Sequence, residues 1–184
     1  MSCPNNEATK LESKKDHECK ENCEFNHNYN PNSSCVLTNK GNYLEGTEVF
    51  DMTTIAPRTA KFRAVGDIWV TSQIEGIGDV VGFENHAGQS YLGPHVSPFA
   101  TVKFGNGNNG LDSTEGAVYR NAIGTYLHGS VLPKNPMLLD YLLSNALSHR
   151  YNENLEPYFS SPSPFVLQAQ STAMDVTRRK SEKR

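Results

Sequence analysis

The sequence predicts an α/β domain over residues 36–158, with polar segments at both ends. Two observations support this fold class: short apolar segments rich in strand-forming residues recur between residues 62 and 128, and a pattern typical of an amphipathic helix follows them. Residues 1–35 and 159–184 contain few aliphatic side chains, too few to offset the loss of chain entropy on folding. They are therefore expected to be disordered tails.

Strands are expected in four apolar segments: residues 62–74, 80–83, 101–104 and 116–128. The last of these is long and is expected to bend near Asn121. The polar residues 84–89 and the Gly-Asn-rich residues 105–110 are predicted loops, the second requiring positive φ angles.

A helix is predicted after the last strand. Asn135 is a residue type that caps helix N-termini, and Pro136 suits the first helical position. Apolar side chains then recur from Leu138 to Leu147, and Asn152 is expected to lie beyond the helix end.

Charge and cysteine usage exclude several classes of function. The formal net charge is −3, so no overall field attracts nucleic acid, and the basic end of the tail is interpreted as a solvated terminus in preference to a nucleic-acid contact. No apolar segment is long enough for membrane insertion. All four cysteines lie in the polar N-terminal segment, which favours a reducing cytoplasm over a secreted disulfide framework.

His128 is the first candidate functional residue. It follows an apolar strand segment and precedes Gly129, so it is expected at the rim of a sheet, where α/β proteins place their ligands. Histidine is suited to proton transfer near neutrality. The alternative is a structural histidine held by hydrogen bonds, and spacing alone favours this alternative over a catalytic role.

Three further features can be interpreted either as functional or as purely structural. Glu84 and His86 can form an acid/base pair or supply metal ligands, but a loop held by its own hydrogen bonds is favoured. Arg63 is shaped for binding a carboxylate, although most arginines are simply solvated. The loop at 105–110 lacks the Gly-Lys-Ser/Thr ending of a phosphate-binding loop, so a plain turn is favoured.

The N-terminal cysteines offer a zinc hypothesis. Cys19, Cys23 and His27 would share one face of a helix. The spacing fits the common zinc patterns poorly, so no metal site is predicted.

Several motifs occur together in the order found in one family. They are Leu-Glu-Gly at 44–46, Arg63 with Gly-Asp-Ile at 66–68, Val-Gly-Phe-Glu-Asn-His-Ala-Gly at 81–88, Phe-Gly-Asn-Gly-Asn-Asn-Gly at 104–110, Thr-Glu-Gly at 114–116, Gly-Thr-Tyr-Leu-His-Gly at 124–129 and Leu-Pro-Lys-Asn-Pro at 132–136. Across residues 36–150 the chain resembles the cobyric-acid-synthase-like class I glutamine amidotransferases. Within that family it is most similar to the glutaminase subunits of lipid II isoglutaminyl synthases.

The resemblance implies a partial class I glutamine amidotransferase fold, comprising the C-terminal half of the sheet plus a helix. It implies a cysteine–histidine dyad that hydrolyses glutamine, with His128 as base and Arg63 binding the substrate. Glu84, Asn85 and His86 would lie near the site. It further implies a heterodimer with a Mur-ligase-like subunit that amidates the D-glutamate of lipid II in peptidoglycan synthesis. ATP and magnesium would bind that partner, and this chain would need no cofactor.

The chain departs from the family pattern at the nucleophile. The family places its cysteine in a Cys-Gly-Gly-Tyr-Gln-like segment, which would fall near residues 25–26. The nearest candidate is Cys23, whose following residues lack the glycines of a tight elbow. The N-terminal half of the domain is expected to be missing or replaced. The alternatives are a truncated or non-catalytic member that only binds a partner, a cobyric-acid-type amidotransferase domain, and a zinc-binding adaptor.

Overall fold

A computed structural model describes residues 34–38, 43–56, 63–152 and 162–182 and has a mixed α/β architecture, as predicted. The strands are β1 (Ser34–Leu37), β2 (Tyr43–Glu45), β3 (Met52–Ile55), β4 (Ala64–Ser72), β5 (Asp79–His86), β6 (Gln89–Leu92), β7 (Ala100–Phe104), β8 (Thr114–Glu115), β9 (Ala117–Tyr119) and β10 (Ala122–Gly124). The helices are α1 (Val131–Lys134), α2 (Pro136–Tyr151) and α3 (Pro164–Ser181).

The described strands form two four-stranded sheets and one hairpin. The first sheet has the order β2-β1-β3-β6, in which only the β1–β3 pair is parallel. The second has the order β5-β4-β7-β8 and is antiparallel throughout. The β9–β10 hairpin is a separate pair, joined to the chain before β7 by an isolated bridge between Ser97 and Val118.

Strands β4 and β5 form the longest ladder, and their extent differs from the prediction. Their register runs from Ala64 opposite His86 to Thr71 opposite Asp79. Residues 84–86 therefore belong to β5, and the expectation that a loop begins at Glu84 was wrong. The side chains of this polar stretch alternate between buried and exposed, which is compatible with a strand between two different environments.

The segment predicted as one bent strand at 116–128 is divided. It forms the β9–β10 hairpin, with Tyr119 opposite Ala122, and the turn is made by Arg120 and Asn121. Arg120 has a φ of 53°. Residues 125–127 follow the hairpin without belonging to a strand.

The predicted helix is confirmed as α2, with Pro136 in its first turn and Asn152 in the left-handed conformation just past its end. Such a conformation is common at helix C-termini. Asn135 occupies the N-cap position as predicted, and its carbonyl accepts from the Leu139 N–H, but the expected side-chain cap was wrong, because its side chain makes no capping hydrogen bond.

The C-terminal segment also differs from the expectation. Residues 159–184 were predicted to be a disordered tail, yet α3 occupies residues 164–181 and packs against β4, β5 and β7. Its last turn carries Lys180, which forms a surface ion pair with Asp67 of β4. Residues 1–33, the other predicted tail, lie outside the described residues.

The hydrophobic core lies between the inner face of the second sheet and the helices α1 and α2. Its central cluster comprises Ile68, Val70, Ile77, Val80, Phe99, Ala100, Leu127 and Leu138. Leu127 is therefore a core residue directly before His128. Among the helices of the described residues, none combines the length and the apolar character needed to cross a bilayer.

Candidate functional site

His128 lies beside the free edge of β5 and its side chain is exposed to solvent. Its backbone N–H donates to the Phe83 carbonyl over 2.6 Å, and the Phe83 N–H donates to the His128 carbonyl over 3.4 Å. Because the partners of an antiparallel bridge direct their side chains to the same face, His128 shares the outer face of the sheet with Phe83.

The position of His128 is also fixed by the residue before it. Leu127 is only 6% exposed, and it packs directly over Gly82. A Cβ atom at Gly82 would lie 2.6 Å from Leu127 Cδ2, so the close approach depends on a glycine in the strand. The arrangement differs from the prediction of a strand that ends at His128: residues 125–127 belong to no strand, and His128 instead bridges the lateral edge of β5.

The alternation of β5 separates the residues of the Gly-Phe-Glu-Asn-His motif. Phe83 and Asn85 are exposed on the outer face, whereas Glu84 and His86 are buried on the inner face. The motif residues near His128 on the outer face are therefore Phe83 and Asn85. Glu84 and His86 point away from it.

Arg63 reaches the same outer face through Asn85. Its Nε and Nη2 atoms donate to Asn85 Oδ1 over 3.2 and 2.8 Å. Asn85 is two residues beyond Phe83 on β5, so it is a diagonal neighbour of His128, at a separation of about 7–8 Å between backbone positions. The structure thus brings together the imidazole and the guanidinium that sequence analysis selected separately.

Glu84 holds the Gly-Asn loop at residues 105–110. Its carboxylate is 1% exposed and accepts hydrogen bonds from the Asn106 backbone N–H, the Asn106 side-chain amide and the Gly107 backbone N–H. The Glu84 carboxylate is therefore engaged in holding the loop at residues 105–110, which is a structural role and not the acid/base role considered from the sequence. These contacts also occupy the amide donors that a phosphate would need.

His86 is likewise committed to local contacts. Its Nδ1 atom is 2.9 Å from the Gly88 carbonyl oxygen, and because a carbonyl can only accept, Nδ1 donates. The ring stacks on Tyr126 with centroids 3.8 Å apart and planes 8° apart. His86 Nε2 is buried and has no hydrogen-bond partner among the described residues.

The described residues contain no group of three or more side chains able to hold a metal ion. Cys23, the candidate nucleophile, and the zinc hypothesis for Cys19, Cys23 and His27 lie outside the described residues.

Asn135 is a site-supporting residue whose role the sequence did not indicate. Its buried side chain pairs with the free edge of β5, accepting from the Val81 N–H over 2.9 Å and donating to the Val81 carbonyl over 2.8 Å. Gln170 of α3 donates to Asn135 Oδ1 over 3.0 Å and to the Asp79 carbonyl over 3.1 Å. Together with the His128 bridge, these amides take the place of a further strand along β5.

A cavity of about 300 Å³ lies between α3 and the strands β4 and β5. Asp67, Val81, Lys134 and Lys180 are among its lining residues, whereas His128 and Arg63 are not. The candidate site is therefore an open sheet face next to this cavity. That face can expose an imidazole to a proton donor and a guanidinium to an anion.

Comparisons with known proteins identify the family of the chain. Residues 34–136 match the CobB/CobQ-like glutamine amidotransferase domain. The chain is 41% identical over 114 residues to the lipid II isoglutaminyl synthase (glutamine-hydrolyzing) subunit GatD of Staphylococcus aureus, covering 62% of this chain and 44% of that protein. It is 33% identical over 116 residues to the subunit of the same name from Streptococcus pneumoniae, covering 63% of this chain and 44% of that protein.

A second kind of relative is the cobyric acid synthase of Listeria monocytogenes serotype 4a, which is 30% identical over 147 residues. This match covers 71% of the chain and 28% of the synthase. The chain thus spans less than half the length of the curated relatives it matches.

Proposed function

The chain belongs to the family of CobB/CobQ-like glutamine amidotransferases, and from this premise we propose that it takes part in hydrolysing glutamine to glutamate and ammonia. One observation carries the proposal: His128 and Arg63 lie on the same open face of the β4–β5 hairpin, linked by Phe83 and Asn85. The face therefore carries a proton-transfer group and a carboxylate-binding group, the two kinds of side chain that glutamine hydrolysis requires.

His128 has the role of general base and acid in this proposal. It takes the proton of a cysteine thiol, and the thiolate attacks the side-chain carbonyl carbon of glutamine. The carbon–nitrogen bond breaks, His128 gives its proton to the leaving ammonia, and water then hydrolyses the glutamyl thioester. Cys23 is the candidate thiol, because it is the cysteine nearest the position that the family pattern specifies.

Arg63 binds the α-carboxylate of glutamine. Asn85 accepts from two guanidinium nitrogens, which holds the planar group while its other N–H donors stay directed away from that amide. A guanidinium fixed in this way can make a paired contact to a carboxylate. Asn85 is therefore a positioning residue for Arg63.

The acceptor of the ammonia is proposed to be the D-glutamate of lipid II, in complex with a Mur-ligase-like partner that binds ATP and magnesium. Support comes from the relatives GatD, whose names describe subunits of lipid II isoglutaminyl synthase. The cobyric acid synthases favour a corrin carboxylate as the competing acceptor.

The test is ammonia release from glutamine by the full chain, with and without the Mur-ligase-like partner. His128→Asn and Cys23→Ala are expected to abolish release, and Arg63→Ala to raise KM. His149→Asn, an exposed histidine on α2, is the matched control and is expected to leave the rate unchanged.

Equal rates for the wild-type chain and His128→Asn would refute the catalytic role. A complex that co-purifies with the partner but releases no ammonia would instead establish the non-catalytic, partner-binding alternative. Amidation assays with lipid II and with a corrin carboxylate distinguish the two acceptors.

A further inference from the structure

The segment that delivers His128 to the edge of β5 is held by a buried carboxylate. Glu115 Oε1 accepts from the Thr125 hydroxyl over 2.7 Å and from the Tyr126 backbone N–H over 2.8 Å. The Thr125 hydroxyl accepts in turn from the Leu127 N–H over 3.0 Å. Because residues 125–127 belong to no strand, these side-chain bonds satisfy backbone donors that a sheet partner would otherwise satisfy.

Glu115 itself is rigidly placed. It lies on β8 opposite Ala100 and is 0% exposed. The next residue, Gly116, has a φ of 65°, and a Cβ atom there would lie 2.5 Å from the Gly124 carbonyl oxygen. The backbones at residues 116 and 124 therefore approach too closely for a side chain, and this contact fixes the distance between Glu115 and the segment it holds.

Holding a carboxyl at this position costs free energy. Burial raises the pKa of Glu115, the nearby Glu84 carboxylate raises it further, and the bonds from Thr125 and Tyr126 oppose that rise. Glu115 Oε2 is buried and has no hydrogen-bond partner among the described residues. The hydrogen bonds from Thr125 and Tyr126 therefore offset part of the free-energy cost of burying the Glu115 carboxyl.

We infer that Glu115, acting through the Thr125 hydroxyl, is a positioning residue for His128. The chain of contacts runs from Glu115 to Thr125, then to the Leu127 N–H, and from Leu127 over Gly82 to the bridge at His128. The significance of this positioning rests on the proposed function of His128, but the contacts exist independently of catalysis.

Thr125 provides the sharper test, because it is exposed and its replacement spares the core. Thr125→Val keeps the branched shape and removes the hydroxyl, whereas Thr125→Ser keeps the hydroxyl. Thr101→Val, at an exposed position of β7, is the matched control. The measurement is the histidine Cε1–Hε1 region of the ¹H–¹³C NMR spectrum of the full chain, in which His128→Gln assigns the His128 signal.

Thr125→Val and Glu115→Ala are expected to shift or broaden the His128 signal by more than its line width, with the His149 signal unchanged. Thr125→Ser, Glu115→Gln and Thr101→Val are expected to keep the wild-type position. If the His128 signal is unchanged in Thr125→Val while that variant remains folded, the inference is overturned.

A purely structural role for Glu115 would lower the melting temperature without moving the His128 signal selectively. The outcome is also separable from the proposed function. A chain that releases no ammonia but shows the selective shift supports the positioning role and refutes the catalytic one.

Discussion

Replacing Gly82 with alanine tests the contact that places His128. Gly82 lies in β5 without a positive φ, so alanine is compatible with its backbone and any loss of stability is steric in origin. The added methyl would lie 2.6 Å from Leu127 Cδ2 and 3.2 Å from Leu127 Cβ. Real Cβ atoms essentially never make contacts this short, so Leu127, the residue directly before His128, must move.

The expected magnitude follows from the buried position of both residues. Adding a methyl group to a well-packed core costs about 1–3 kcal/mol. A loss of about 2 kcal/mol corresponds to a fall in melting temperature of roughly 4–8 °C for a chain of this size. The assay is thermal and urea unfolding of the full chain, followed by circular dichroism.

The control is a double-mutant cycle with Leu127→Ala. That substitution alone is expected to cost about 2–5 kcal/mol, because it leaves a cavity in the core. In the Leu127→Ala background the methyl at position 82 has room, so Gly82→Ala should become neutral or stabilising, since alanine is favoured over glycine in a strand by roughly 0.5–1 kcal/mol.

The coupling between the two sites is the decisive quantity. If the losses caused by Gly82→Ala and Leu127→Ala add without coupling, or if Gly82→Ala alone leaves the free energy of unfolding unchanged, the close packing of Leu127 over β5 is refuted.

Three other predictions concern the surroundings of the site. Asn135→Ala is expected to lower the free energy of unfolding by about 2–4 kcal/mol in urea titrations, because the buried Val81 N–H and carbonyl lose their partner; a loss below the error of the titration would contradict this. Because burial raises the pKa of Glu115 above 4.5 in the folded state, its contribution to stability is present at low pH and is lost as the pH rises through the folded-state pKa. Glu115→Gln should therefore remove part of the decline in stability above about pH 4.5, and identical pH profiles would refute the assignment. Asn85→Ala should raise KM for glutamine with little change in kcat, since it frees the Arg63 guanidinium; an unchanged KM would exclude a positioning role.

The features predicted well from the sequence are those encoded locally. The helix at α2 follows from proline at its start and from leucines at helical spacing. The strand at 100–104 and the turn at 105–110 follow from strand-forming and glycine-rich residues. The placement of His128 was not encoded in this way: the predicted strand stops at Gly124, and His128 reaches the sheet through a bridge to Phe83, which is distant in sequence.

The wrong predictions involve side chains whose partners are distant in sequence. Glu84 looked like a loop residue, but it lies in β5 opposite Gly66, and Asn106 and Gly107 satisfy its buried carboxylate. Asn135 looked like a helix cap, but it pairs with β5. The residues next to Glu84 and Asn135 in the sequence do not indicate that these side chains bind the loop at 105–110 and strand β5.

Helix α3 was missed for a different reason. Its less exposed positions are 166, 170, 173, 174, 175 and 177. Those at 166, 170, 173 and 177 follow a helical spacing, but they include Gln170 and Thr177, so the face does not register as apolar. Gln170 uses that position to bind Asn135 and β5. A polar segment was therefore interpreted as a tail although it packs on the sheet through hydrogen bonds.

The most direct test of the central claim is the rate of ammonia release from glutamine by the full chain with its ligase partner, measured for wild type, His128→Asn and His149→Asn. We expect wild type and His149→Asn to release ammonia and His128→Asn to release none. Release that persists in His128→Asn would contradict the central claim.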